Sequence, residues 1–187
     1  GIFILSEDII RVLFGRGEFN NDDVLITSKI LFVYSFSLPG YMLARIFNQV
    51  FYSYEKVEYP VKAAVPTFIC NFILCFLLYR PLGVLGLAIS GAVSIWLNLF
   101  IQIFYLRKNF RSFYEKLLIF DFKKLLKILF SAIIMVISIL IFKKILNLNI
   151  YVDLFIQILI GLIIYFLILN WLKLNEIKLV FQLNKFN

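Results

Sequence analysis

The chain has 187 residues, of which 63% are hydrophobic, and it carries a formal net charge of +8. Its mean hydropathy is +0.95, whereas soluble domains are roughly 45–50% apolar, so a soluble domain is excluded. The basic excess is read as loops facing anionic lipid rather than as a nucleic-acid surface, and with no His the commonest general base and metal ligand is missing.

A bilayer core of about 30 Å takes about 20 helical residues, and five apolar segments reach that length. Residues 1–23 precede them. The opening "GIFIL" lacks the basic start and small-residue cleavage site of a signal peptide. Residues 1–14 are therefore expected to be the end of a helix that begins before residue 1, followed by an extracytoplasmic loop. The first span runs from Val24 to Tyr52, with Asp22 and Asp23 as N-terminal caps. The second covers Val61 to Tyr79, and the third, Leu82 to Leu106, carries no charge. Residues 24–106 thus make a three-helix unit.

Residues 107–123 form a basic linker in which Phe110, Phe113, Tyr114 and Leu117 recur at helical spacing, as expected for a helix lying in the cytoplasmic interface. Residues 124–172 hold two further spans, Lys124 to Phe142 and Leu154 to Leu172. These are nearly pure Leu, Ile and Phe, relieved by Ser131, Ser138, Gln157, Gly161 and Tyr165, and are expected to face lipid. Residues 173–187 are expected to be a cytoplasmic tail, with Leu174, Ile177, Val180 and Phe181 placed as in an interfacial helix. The fold class is all-α, a polytopic transmembrane helix bundle. Cys70 and Cys75, five apart on one apolar helix, point to different faces and are expected to stay unpaired.

Alternating the spans divides the cations unevenly. One side collects twelve: Lys56, Lys62, seven from Arg107 to Lys127, and Lys173, Lys178 and Lys185. The other collects six, and Arg45 lies within a span. The positive-inside rule puts the richer side, with the C-terminus, in the cytoplasm.

Polar residues inside the spans carry the candidate site. Tyr34, Ser37, Tyr41, Arg45, Asn48 and Tyr52 follow at steps of three or four, which places them on one helix face. An intramembrane Arg costs about 3 kcal/mol in lipid on insertion scales and so should face protein or water. Arg45 either snorkels to the interface or belongs with its stripe to a wet cavity. Pro39 and Gly40 interrupt the stripe, and a bend there serves either as a hinge on a transport path or as a static kink.

In the third span, Gly83, Gly86 and Gly91 accompany Ala88, Ser90, Ala92 and Ser94, while Ser90, Ser94, Asn98 and Gln102 recur every four residues. A phosphate-binding loop needs G-x-G-x-x-G or a following Lys. Gly83 and Gly86 give only G-x-x-G, and no Lys follows the glycines, so no nucleotide site is assigned. Pro81 and Gly83 read as an extracytoplasmic turn. The small residues read as helix packing, and Ser94 and Asn98 as cavity-facing.

The segments "FGRGEFN", "LPGYMLARIFNQVFYS", "YPVKAAV" and "CNFILCFLLYRPLGVLGLAISGAVSIWLN" stand in the order seen in the MurJ (MviN) family. The chain resembles the C-terminal portion of these lipid II flippases, which belong to the multidrug/oligosaccharidyl-lipid/polysaccharide exporter superfamily. Members have about fourteen spans in two related bundles plus two extra helices. The resemblance covers residues 5 to 172 and implies several things. The substrate is an undecaprenyl-pyrophosphate-linked peptidoglycan precursor moved across the bacterial inner membrane by alternating access. There is no covalent catalysis. The partners are that precursor, membrane lipids and the N-terminal helices of the same protein. The last two helices make a groove for the polyprenyl tail. The pyrophosphate-binding arginines of the family lie on earlier helices, so none is carried over. Some members hold a sodium ion among the seventh, eleventh and twelfth helices. Asn71 matches one ligand position, with Cys75 where those members have Asp and Gly91 where Thr would help.

Two alternatives stay open beside a lipid II flippase: a flippase for another polyprenyl-linked saccharide, and a membrane fragment or subunit that only packs with partner helices. A membrane enzyme needs carboxylates or His near the interface, and no acidic pair falls within a span.

Overall fold

The computed structural model describes residues 1–111, 122–145 and 149–172, and the described residues form six helices and no strand. These are α1 (Ile2–Phe14), α2 (Asn21–Ser53), α3 (Glu58–Leu82), α4 (Val84–Asn109), α5 (Phe122–Ile145) and α6 (Ile150–Trp171). Five of them, α2 to α6, are long and apolar enough to cross a membrane. The expected spans match these helices with ends shifted by a few residues; Leu82, expected to open the third span, ends α3, and Leu172, expected to end the fifth, caps α6. The amphipathic linker beyond Arg111 and the tail from Lys173 lie outside the described residues. The chain divides into two compact units, residues 2–116 and, apart from Gly1, residues 117–187.

In the first unit α4 is the central helix. Both α2 and α3 pack along it, α1 packs on α2, and α2 and α3 scarcely touch each other. The start of α2 corrects one expectation, since the cap is Asn20 rather than Asp22 or Asp23. Asn20 Oδ1 accepts from the Asp22 and Asp23 backbone N–H groups at 2.9 and 3.0 Å, and Asp23 Oδ2 accepts from the Asn20 N–H at 3.0 Å. This reciprocal box satisfies the orphan donors of the first turn, and the two aspartates keep their favourable place at the positive end of the helix dipole.

The reversal from α3 to α4 takes one residue. α3 continues through Pro81 to Leu82, and Gly83 turns the chain at φ +57°, ψ −135°. An L side chain is strained there. Immediately after it, Gly86 lies so close to α3 that a β-carbon would strike the Leu78 backbone carbonyl. The other end of the unit is closed by aromatic rings. Phe51, wholly buried, stands 5.5 Å from the Tyr59 ring and 5.8 Å from Phe110, and Tyr59 stands 5.2 Å from Tyr105. Phe110, expected in the interfacial linker, therefore packs against the ends of α2 and α3.

In the second unit α5 and α6 pack together. Ser131, Ile139, Leu154, Gln157, Gly161 and Leu169 are buried, and at Gly161 a β-carbon would come within 3.0 Å of Ile139 Cδ1. Most large apolar residues of both helices stay exposed. Cys70 and Cys75 are unpaired, as their spacing predicts.

Candidate functional site

Because α2 and α3 diverge across α4, they leave a cleft with α4 as its floor. Its volume is about 470 Å³, and its walls are Tyr41, Ala44, Arg45 and Asn48 from α2, Thr67 and Asn71 from α3, and Gly91, Ser94, Ile95 and Asn98 from α4. Arg45 is the one charged side chain among them. It makes no ion pair or hydrogen bond within the described residues.

A chain of amides ties the three helices together at the cleft. Gln102, only 1% exposed, donates through Nε2 to Asn48 Oδ1 on α2 at 3.0 Å and to Asn98 Oδ1 at 2.6 Å. Asn98 Nδ2 donates to Thr67 Oγ1 on α3 at 3.2 Å, and the Thr67 hydroxyl donates on to the Ala63 carbonyl at 2.7 Å. Gln102 Oε1 is buried without a hydrogen-bond partner among the described residues. Further along α3, Cys75 Sγ lies 3.4 Å from Asn71 Oδ1 and 2.8 Å from Ser90 Oγ of α4. Such interhelical bonds are worth about 0.6–2 kcal/mol each in a membrane.

The predicted stripe on α2 is split by depth. Tyr41, Arg45 and Asn48 reach the cleft, together with Ser94, Asn98 and Asn71. Tyr34 and Ser37 do not: Ser37 is buried and satisfies its hydroxyl on the Tyr34 carbonyl at 2.8 Å, while Tyr34 is exposed away from the cleft. Tyr34 shares the azimuth of Tyr41 but sits about 10 Å further along the helix, beyond the cleft's end. Pro39 lies within an unbroken helix, and Gly40 is buried against Ile95 and Trp96 of α4. Among the expected packing glycines, Gly86 packs and Gly83 turns. Gly91 is a correction, because open space lies over it and it lines the cleft.

Two cleft partners were not singled out as site residues from sequence, Thr67 and Gln102. Each left a signal: Thr67, Asn71 and Cys75 recur every four residues, and Gln102 ends the Ser90, Ser94, Asn98 series. On the other side of α2, Phe3, Phe32, Val33, Phe36, Ile89 and Trp96 help to line a separate groove of about 300 Å³ with no polar lining.

A sodium ion does not fit the residues at Asn71. A hard cation needs several oxygen ligands, normally including a carboxylate. Here a thiol stands in reach of both the Asn71 and Ser90 oxygens, and Gly91 offers no side chain. Among the described residues no three His, Cys, Asp or Glu side chains cluster to hold a metal.

Apolar helices of spanning length around a polar cleft define a polytopic membrane protein of the transporter class. The chain belongs to the MurJ family: the family model described as lipid II flippase MurJ matches residues 1–170. The family is one of flippases, not enzymes, and sets the chain in the bacterial inner membrane as a multi-pass protein. Among curated relatives, a probable lipid II flippase MurJ of Rhizobium tropici is 34% identical over 97 residues, 52% of this chain and 18% of that protein. Its counterpart in Buchnera aphidicola subsp. Schizaphis graminum is 32% identical over 130 residues, 68% of this chain and 25% of that protein. A solved structure of lipid II flippase MurJ in an inward closed conformation superposes with a TM-score of 0.75 at 27% identity, covering 89% of this chain and 33% of that one. The chain therefore spans a third or less of the proteins it matches.

Proposed function

We propose that the chain is the C-terminal part of a lipid II flippase, with residues 24–106 a three-helix part of its C-terminal lobe, and that the cleft between α2 and α3 is its share of the substrate path. The observation that carries this is the placement of Arg45 with three asparagines in one cleft of otherwise apolar spanning helices. Polar groups at such depth are costly and mark pathways more often than packing. The substrate is a lipid-linked peptidoglycan precursor, and the remaining helices of the path come from residues outside this chain. The uneven division of cations favours a cytoplasmic C-terminus.

The test is a chimera in which residues 1–170 replace the matching part of a curated relative, in cells depleted of their own flippase. Lipid II should become accessible at the outer face. If it stays inside while the chimera reaches the membrane in normal amount, the reading is wrong. The two alternatives predict that negative result.

A further inference from the structure

We infer that the cleft is a subsite for an anionic, oxygen-rich group of the phosphate class, and that Gln102 makes it so by fixing the direction of its hydrogen bonds. This deepens the transport reading, on which it rests only for placing the cleft along a substrate path.

Three asparagines line the cleft, and two of them have a carbonyl oxygen held by Gln102, which does not line it. Asn48 and Asn98 accept from Gln102 Nε2 at 3.0 and 2.6 Å, whereas the single proton of the Cys75 thiol goes to Ser90 Oγ at 2.8 Å, whose own hydroxyl donates to the Leu87 carbonyl. An asparagine has an acceptor end and a donor end. With the carbonyl oxygens of Asn48 and Asn98 engaged by Gln102, their amide nitrogens are what remain for a ligand. Asn48 and Asn71 keep both N–H groups, and Asn98 keeps one after donating to Thr67. Arg45 adds a fixed positive charge and its fork of donors to the same wall, and no carboxylate lines the cleft. Gly91 leaves room over the floor for the bound group.

Such a wall suits a phosphate, which brings several acceptor oxygens and negative charge, and charge-assisted bonds of this kind are the strong ones. It repels a cation, in keeping with the misfit of sodium at Asn71. Gln102 is a positioning residue, since it lies behind the asparagines and does not line the cleft. Its two N–H groups set the orientation of Asn48 and Asn98.

The direction can be reversed by one isosteric change. Gln102→Glu replaces the donating amide with a carboxylate. Asn48 and Asn98 must then donate to it and present their oxygens to the cleft. Gln102→Met keeps the volume and removes the bonds.

The experiment measures calorimetric binding of inorganic pyrophosphate, farnesyl pyrophosphate and uncharged farnesol to the full chain purified in detergent. Both pyrophosphates should bind saturably and farnesol should not compete. Arg45→Gln should weaken binding by about 10- to 100-fold, with Arg45→Lys retaining most of it. Gln102→Glu should weaken it by at least about tenfold and Gln102→Met by less. Tighter binding of the farnesyl form identifies a lipid headgroup as the source, and equal binding identifies the free anion. Either supports the subsite. Absence of saturable binding, or binding indifferent to Arg45→Gln, overturns it. Arg45 is exposed, so its variants fold irrespective of what the Gln102 variants do. A chimera that restores lipid II transport while pyrophosphate binding ignores Arg45 removes the anion subsite and leaves the transport reading. Arg45-dependent binding without transport does the opposite.

Discussion

Gly40 of α2 lies against the indole of Trp96 on α4, so close that a β-carbon would stand 3.3 Å from two of its ring carbons. The contact sets how near α2 approaches the central helix one turn before Arg45, and hence the width of the cleft. Gly40→Leu would drive a side chain into Trp96 and Ile95, and overpacking of this kind costs about 1–3 kcal/mol. A lowered midpoint of heat unfolding in detergent is the expected outcome. Gly40→Ala should be far milder, because about 1 kcal/mol of helix propensity offsets the tight contact.

Two glycines five residues apart should respond in opposite ways. At Gly86 a β-carbon would meet the Leu78 backbone carbonyl, which cannot step aside without parting α3 from α4. Gly86→Ala should therefore cost about 3 kcal/mol or more, seen as a loss of folded yield. Over Gly91 there is open space. Gly91→Ala should hold or raise the unfolding midpoint, by up to about 1 kcal/mol of helix propensity, while narrowing the cleft. Equal loss in both would refute the packing difference.

These pairs show where sequence was informative. Uninterrupted apolar runs specify spanning helices whatever surrounds them, so α2 to α6 were legible to within a few residues. Four-residue spacing also put Tyr41, Arg45 and Asn48 on one face. It carries no information on depth, so Tyr34 and Ser37 were grouped with a cleft that ends before them. Similarly, a glycine's lack of a side chain permits close approach without requiring it, so Gly86 and Gly91 looked alike. Gln102 acts through partners 54 and 4 residues away, and only the packing of α2 on α4 brings the distant one into reach. The cap fell to Asn20 because the residue that precedes a helix, not an acid within its first turn, can accept from two successive backbone N–H groups.

Sodium should not stabilise this chain. With Cys75 between Asn71 and Ser90 and no carboxylate lining the cleft, nothing there offsets the cost of dehydrating the ion. Exchanging sodium chloride for potassium chloride at constant ionic strength should leave the unfolding midpoint unchanged. A midpoint that rises with sodium concentration in a saturable way would show a cation site. Cys75→Asp, which restores a carboxylate beside Asn71, is the variant in which such a rise is expected.

Pro39 offers the most direct test of whether α2 bends in use. The helix runs through it unbroken, yet its ring nitrogen cannot donate to the carbonyl of Ser35, and an interior proline costs about 3 kcal/mol relative to alanine. Gly40 is held against Trp96, so any freedom to flex rests on that missing bond. Pro39→Ala should raise the unfolding midpoint by restoring the donor. If the weak point is a hinge of the transport cycle, the same change in the chimera should slow the appearance of lipid II at the outer face several-fold at equal membrane abundance. A stiffer protein that transports at the original rate would make Pro39 a fixed bend that shapes the cleft. The two measurements must be made together, because a drop in transport without the gain in stability would report misfolding of α2.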